Sequence, residues 1–348
     1  MMGDREVVED MVDITDLSKF VFTSDYAEWM VSEPEKWLEK EQHYPVRQLV
    51  KSIKERGFIP NFPDVTYHRE IFHDFPLALV LFEGRDGKYR VPGGVHRLAA
   101  ARLAGLKEIR CYVVKEKKYS KEQIDEFREV LDFMKENSNC KYQSWVFPGG
   151  LRLDGRDDSE RIFNSFKLPV SVFAGRTVLD IACNTGFFAI KAGLLGASKI
   201  AGFDVSPEVI KAAKLIAKAY RLKCEYDFQV CEFWDYPFDE EYDIVFCNQS
   251  LYHFTSRHRS KCLGSIDDML DKICGATGRA LLMYTYVDVR EPPSKDGGYY
   301  PSSPQLKADL ICRGFKKVVI AHVYGPKKHV IAIKNYNNVV APCGVIGW

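Results

Sequence analysis

Apolar and polar positions divide the 348 residues into two differently patterned halves. In the second half, short buried-strand runs alternate with helical periods. Thr177 to Ile181 is an apolar strand run, Ala182 to Gly186 a turn of small residues, and Phe188 to Leu195 a helix. Lys199 to Phe203 is a second strand, ending at Asp204, and the alternation continues to about Asn335. Such repetition predicts a doubly wound, mostly parallel, Rossmann-like sheet. The first half mixes short strands and helices in an α+β pattern. LALVLFEG and KYRVP read as strands, and a helix begins near His96 with Leu98, Ala99, Leu103 and Leu106 on its apolar face. Gly105 ends that helix, and IRCYVV is a returning strand. Between the halves, Ile124, Phe127, Val130, Leu131 and Met134 recur at helical spacing behind Ser120, a candidate N-cap. This predicts a connecting helix ending at Asn137 to Asn139. The expected division is 12–114 for the first block, 115–140 for the connector, 141–335 for the second block and 336–348 for a tail. The first dozen residues are expected to be peripheral.

Composition narrows the function classes. With 49 Lys and Arg against 48 Asp and Glu, the net charge is +1, so no strong overall field favours nucleic acid or an anionic membrane. The aromatic share of 13% with 24 Gly and 16 Pro argues against a disordered or low-complexity chain. No apolar run has the length of a membrane span, and the acidic start MMGDREVVEDMVDITD is unlike a secretory signal. The ten Cys form no CxxC pair and no zinc-spaced cluster, so reduced thiols, no metal site and a cytoplasmic location are expected.

The segment from Gly175 to Tyr220 carries the clearest chemistry. A tight turn after a first parallel strand lets a ligand approach backbone and helix N-terminus, and an acid ending the second strand can accept hydrogen bonds from ribose hydroxyls. Ala182 and Asn184 stand where a GxGxxG dinucleotide fingerprint would place glycines. Asp180, just before the turn, would repel a pyrophosphate but suits a cationic methionine amino group. The residues therefore favour S-adenosylmethionine over a dinucleotide.

VLDIACNTGFF followed by GFDVSPEVI resembles the first two motifs of class I S-adenosylmethionine-dependent methyltransferases. WVFPGGLRLDGR (Trp145 to Arg156), EYDIVFCNQSLYHF (Glu241 to Phe254) and GGYYPSSPQLKADLICRGF (Gly297 to Phe315) further resemble the tRNA uridine carboxymethyltransferase family, over about Cys140 to Lys334. The resemblance implies that Asp180, Ala182, Asn184 and Gly186 line methionine and ribose, that Asp204 takes the ribose hydroxyls, and that Glu232 lies by the adenine. It implies that Asn248 and Gln249 face the transferred methyl. Tyr252 matches a tyrosine that helps hold an extra carboxylate on the donor in the carboxymethylating enzyme. The late arginine of that family has no match, so plain S-adenosylmethionine is expected.

Methyl transfer needs in-line positioning, and a base if the acceptor is a hydroxyl. His253 is the nearest candidate base, with a packing role equally open. Tyr299 and Tyr300, in a polar glycine-rich loop, either cover the substrate or anchor the loop; Trp145 and Arg156 are further candidates for substrate contact. Arg257 and His258 either meet an anionic substrate or start a solvated helix.

In the first half, Gly93 and Gly94 precede a helix with His96 and Arg97 in its first turn, a compact anion-binding arrangement or simply a capped amphipathic helix. YPVRQLVKSIKERGFIPNFPDV and PGGVHRLAAARLAGLKEI resemble the ParB/sulfiredoxin-like superfamily, over about Val12 to Val114. That resemblance implies nucleotide binding, with ATP and Mg2+ as ligands. Val95 stands where the reductases carry cysteine, so reductase chemistry is not expected. The free-serine kinases use a glutamate for which Glu41 is the counterpart, with Glu39 equally near. Two acceptor readings stay open: a small molecule or glycan, with a kinase-like first block, or tRNA, with the first block as a binding module.

Overall fold

The structure is a computed structural model that describes residues 5–41, 44–56, 79–84, 86–91, 94–166, 168, 172–254, 264–287, 302–324 and 327–334. The chain forms two compact units, one of Met2–Lys118 with Pro169–Gly175, the other of Tyr119–Leu168 with Arg176–Asn335.

The first unit contains β1 (Arg5–Asp13), β2 (Phe20–Phe22), α1 (Asp25–Ser32), α2 (Pro34–Glu41), α3 (Tyr44–Arg56), β3 (Val80–Glu83), β4 (Tyr89–Val91), α4 (Val95–Leu103) and β5 (Glu108–Glu116). Its mixed sheet runs β1-β5-β3-β4-β2. Trp37, Leu79, Leu81, Leu98 and Val113 form the heart of its core. Gly105 ends α4 with φ +82°, while the Gly105 and Leu106 N–H groups donate to Arg102 and Ala101 carbonyls, a Schellman closure. The opening residues are not peripheral: β1 pairs antiparallel with β5 from Arg5↔Glu116 to Asp13↔Glu108. They supply partners that the backbone of β5 would otherwise lack on that side.

The second unit begins with α5 (Lys121–Glu136), followed by β6 (Trp145–Val146), β7 (Arg152–Leu153) and α6 (Ser159–Ser165). Its main sheet uses β8 (Thr177–Ile181), β9 (Lys199–Asp204), β10 (Glu225–Val230), β11 (Tyr242–Asn248), β12 (Thr277–Tyr286), β13 (Phe315–Tyr324) and β14 (Lys327–Lys334). Between strands lie α7 (Phe187–Leu194), α8 (Pro207–Ala219), α9 (Leu251–Phe254), α10 (Ile266–Gly275) and α11 (Ser303–Cys312). The sheet order is β10-β9-β8-β11-β12-β14-β13, parallel except where β14 runs antiparallel to both neighbours. Strand β8 therefore has later strands on both sides, and the carboxyl ends beside it form the crevice where ligands of open α/β sheets bind.

The expected connecting helix is part of this second unit. Ser120 and Gln123 close a capping box at its start. Its buried face, Phe127, Val130, Leu131 and Met134, packs on α8, with the Phe127 ring 4.7 Å from that of Tyr220. An apolar stripe of that width must be covered, and α8 covers it. Among the described residues, no helix is long and apolar enough to cross a membrane.

Candidate active site

Apolar β8 is buried from Val178 to Ile181, so the chain must turn sharply at its carboxyl end to enter α7. Ala182 (φ +54°), Asn184 (φ +50°) and Gly186 (φ +76°) all take the left-handed conformation there. The first two do without glycine, at a cost of about 1–2 kcal/mol for a residue with a Cβ, less for asparagine. At Gly186 a Cβ would also lie 3.0 Å from Phe228 and 3.1 Å from Ala213.

The lead-in segment braces this turn. Gln143 Oε1 accepts the Thr185 hydroxyl at 2.8 Å and the Phe187 N–H at 3.3 Å, while its Nε2–H donates to the Cys183 carbonyl at 3.2 Å. The Trp145 indole N–H donates to Thr185 Oγ1 at 2.8 Å. Helix α7 has no side-chain N-cap of its own, so Gln143 serves one of its orphan donors from outside. Asp180 serves another, accepting a backbone hydrogen bond from Ala189. Burial pushes the Asp180 carboxyl up to about 8, against that hydrogen bond, and nearby Asp204 adds to the rise.

Asp204 ends β9 with each oxygen engaged. Oδ2 accepts the Asn184 N–H at 3.0 Å and Oδ1 the Ser206 N–H at 3.2 Å. Its carboxylate is thus fixed in direction, with acceptor capacity left on both oxygens. The Cys231 N–H donates to the Asp204 carbonyl, which brings the segment after β10, with Glu232, alongside.

At the end of β11, Gln249 has φ +57°. Its N–H donates to the Tyr284 carbonyl at 2.7 Å, and Tyr142 donates to its Oε1 at 3.0 Å. Lys327 also donates to that oxygen, and the Gln249 amide donates to Asp157. Such strain persists only where the surroundings over-determine it, and it concentrates at functional sites. Three of the five non-glycine residues with positive φ, among those described, are Ala182, Asn184 and Gln249.

All three line one cavity of about 230 Å³. Asp204, Glu232 and Asn248 also line it, as do Tyr142, Val205, Phe233, Trp234 and Phe254. Phe254 stacks on Phe233 at 4.2 Å and accepts the Trp234 indole N–H on its carbonyl at 3.3 Å, making an aromatic wall. Asp180 Oδ2, Asn184 Oδ1 and both polar atoms of the Asn248 side chain are buried without a hydrogen-bond partner. Buried polar groups are rarely left so, and a polar ligand would supply what they lack.

Six of the residues expected to hold a cofactor thus meet on one wall system: Ala182, Asn184, Asp204, Glu232, Asn248 and Gln249. Asp180 and Gly186 stand behind the turn instead, the first capping α7 and the second packed on Phe228. Trp145, expected at the substrate, is buried in the core stacked on Phe147, because its indole N–H is bound to Thr185. Arg156 is exposed, 5.9 Å over the Tyr142 ring. Tyr252 and His253 fall on α9, and Glu41 ends α2, with their side chains outside the described residues. Gly93, Arg257, His258, Tyr299, Tyr300 and the tail lie outside the described residues altogether. Gln143 and Thr185 were missed; a glutamine two positions before a tryptophan carries no pattern that announces a brace.

In the first unit, Gly94 begins α4 with φ +80°. Arg97 is buried rather than solvent-exposed, and His96 packs edge-on to Trp37 with ring centroids 5.8 Å apart. Among the described residues, no group of three or more His, Cys, Asp or Glu could hold a metal ion.

Residues 178–272 match the family described as a methyltransferase domain. A ribosomal protein L11 methyltransferase of Burkholderia mallei is 36% identical over 81 residues, 23% of this chain and 25% of that protein. A tRNA U34 carboxymethyltransferase of Campylobacter hominis is 31% identical over 102 residues, 29% of this chain and 35% of that protein. The chain therefore spans well under half of either relative. Among solved structures, magnesium protoporphyrin IX methyltransferase of Synechocystis with bound SAH aligns over 62% of this chain and 95% of that one. Its TM-score is 0.41 at 14% identity. The family match falls on the strands and turn of the second unit that build the cavity.

Proposed function

We propose that the chain is an S-adenosylmethionine-dependent methyltransferase acting on a small molecule or glycan. The observation that carries it is Asp204, fixed by two backbone amides at the end of β9 and facing the same cavity as the left-handed turn after β8. The unsatisfied atoms of Asn184 and Asn248 fit a polar ligand there. In this reading Asp204 holds the ribose hydroxyls, Glu232 the adenine amino group and Asn248 the region of the transferred methyl. Asp180 offers Oδ2 to the methionine amino group from beneath the turn. Gly186 supports the turn by its packing rather than by touching the donor.

Bound S-adenosylmethionine would supply an electrophilic methyl on a sulfonium. The protein's contribution is then to hold the acceptor in line and to keep water out, for which the aromatic wall of Phe233, Trp234 and Phe254 is suited. His253, next to that wall in the chain, is the proposed base for a hydroxyl acceptor.

The first unit is proposed to be a ParB/sulfiredoxin-like nucleotide-binding domain. Left-handed Gly94 at the start of α4 and buried Arg97 one turn in support phosphate binding by Gly93, Gly94, His96 and Arg97. Phosphotransfer from ATP with Mg2+, using Glu41, belongs to the same proposal. tRNA is the second acceptor reading, favoured by the likeness to the carboxymethyltransferase.

Incubation with methyl-labelled S-adenosylmethionine and fractionated cell extract tests the main reading. Label in the small-molecule or glycan fraction supports it, and label in RNA alone replaces it with the second. Absence of transfer to any fraction overturns both.

A further inference from the structure

Among the described residues, the cavity lining differs in charge. Asp204 and Glu232 supply its carboxylates, suited to ribose hydroxyls and an amino group, whereas Tyr142, Asn248, Gln249 and Ser250 are uncharged. Behind these uncharged residues two cations converge. Lys327 donates to Gln249 Oε1 and lies 3.9 Å from Asp157, with its side chain 18% exposed. Arg156 sits over the Tyr142 ring and forms no ion pair among the described residues.

We infer that this corner is the acceptor side of the site, and that it takes an acceptor bearing an anionic oxygen group, held by Lys327 and Arg156. The inference rests on the methyltransferase reading and names the substrate class within it.

Lys327 has the Asp157 carboxylate 3.9 Å away, and that carboxylate already accepts from Gln249. Burial pushes the Lys327 ammonium down and the charge of Arg156 adds to the push, so Asp157 compensates it only in part. An entering anion would relieve both effects. The tyrosine rings around Lys327, Tyr284 at 5.4 Å and Tyr286 at 5.2 Å, attract a cation weakly and limit its hydration without neutralising it. Gln249 sets where the ammonium stands, because its side chain is held by Tyr142, Asp157 and Lys327 together. Lys327 is therefore a preset charge rather than a free surface lysine, while exposed Arg156 can swing to close on the anion.

The test is calorimetric titration of inorganic phosphate, and separately of acetate, into the full chain saturated with S-adenosylhomocysteine. Saturable binding is expected, weakened by about tenfold or more in Arg156→Ala and in Lys327→Met, as loss of a charged hydrogen bond implies. Unfolding midpoints check that both variants fold, and Arg156→Ala serves if Lys327→Met does not. Preference for phosphate or for acetate distinguishes a phosphoryl group from a carboxylate on the acceptor. The inference is overturned by absence of anion binding, by equal binding in wild type and Arg156→Ala, or by an anion that S-adenosylhomocysteine displaces. A protein that binds no S-adenosylhomocysteine overturns the methyltransferase reading as well; one that binds it but no anion overturns this inference alone.

Discussion

Asp204 Oδ2 accepts the backbone N–H of Asn184 at 3.0 Å, tying the end of the second sheet strand in sequence to the turn that follows the first. The bond holds Asn184 in a left-handed conformation that its own backbone disfavours, and it aims the carboxylate along the cavity wall. Local strain at the turn and ligand-binding geometry at the strand end are thus one structural unit.

Gln143 braces that unit without lining the cavity. Gln143→Ala leaves Thr185 and the Phe187 N–H without their shared acceptor. The expected loss is about 1–3 kcal/mol of stability, with weaker donor binding as the turn loosens. Chemical denaturation and S-adenosylhomocysteine titration of the same variant check both parts; unchanged values in both would show that the brace is dispensable.

The backbone of the turn makes opposite predictions at two positions. Ala182→Gly removes a left-handed penalty and is expected to leave stability unchanged or raise it by up to about 1 kcal/mol. Gly186→Ala adds both that penalty and contact with Phe228, and should cost about 1–3 kcal/mol. Denaturation midpoints of the two variants, moving in these directions or not, decide the point.

Much of this unit was legible in the sequence. The strand, turn, strand and acid pattern of residues 177–204 is local, so Ala182, Asn184 and Asp204 could be placed by spacing alone. Ala182 and Asn184 stood out as residues in glycine positions, and the structure gives them glycine-like dihedrals. What spacing could not reveal was which side chains a fold brings in from a distance. Gln143 and Trp145 reach Thr185 across some forty positions, and Lys327 meets Gln249 from the far end of the domain. Helix α5 was visible as an amphipathic helix, but its partner α8 was not, so it read as a connector. The opening strand β1 was missed because a strand of nine residues with five acidic or basic side chains resembles a solvated tail.

The proposed contact of Asp180 with the donor would link binding to protons. Held at about 8 by burial, Asp180 is protonated in the free protein at neutral pH. A cationic amino group at Oδ2 favours the carboxylate, so binding below pH 8 should release a proton and tighten as pH rises from 6 to 7.5. Calorimetry with S-adenosylhomocysteine in two buffers of different ionisation enthalpy reads the release directly. Asp180→Asn should abolish the Asp180 part of the buffer dependence; an identical dependence in wild type and variant would remove Asp180 from the donor site.

His329 ties stability to pH. Burial pushes its imidazole down to about 4, where it stacks on Phe166 at 4.2 Å and meets Ser165 Oγ at 3.2 Å. Its folded pKa lies below the unfolded value near 6.5, so the unfolded chain binds the extra proton between these limits. The His329 contribution is complete above about pH 6.5 and declines as pH falls toward 4. The unfolding free energy of wild type should therefore drop more steeply over that interval than that of His329→Leu. Parallel curves would contradict the assignment.

The most direct test of the central claim is calorimetric titration of S-adenosylmethionine and S-adenosylhomocysteine into the intact chain and into Asp204→Ala, with Arg97→Ala as a variant in the other compact unit. The cavity and its fixed carboxylate predict binding of both ligands by wild type and Arg97→Ala, weakened by about tenfold to a hundredfold in Asp204→Ala. Equal affinity in Asp204→Ala and wild type, or no binding by wild type, would contradict it.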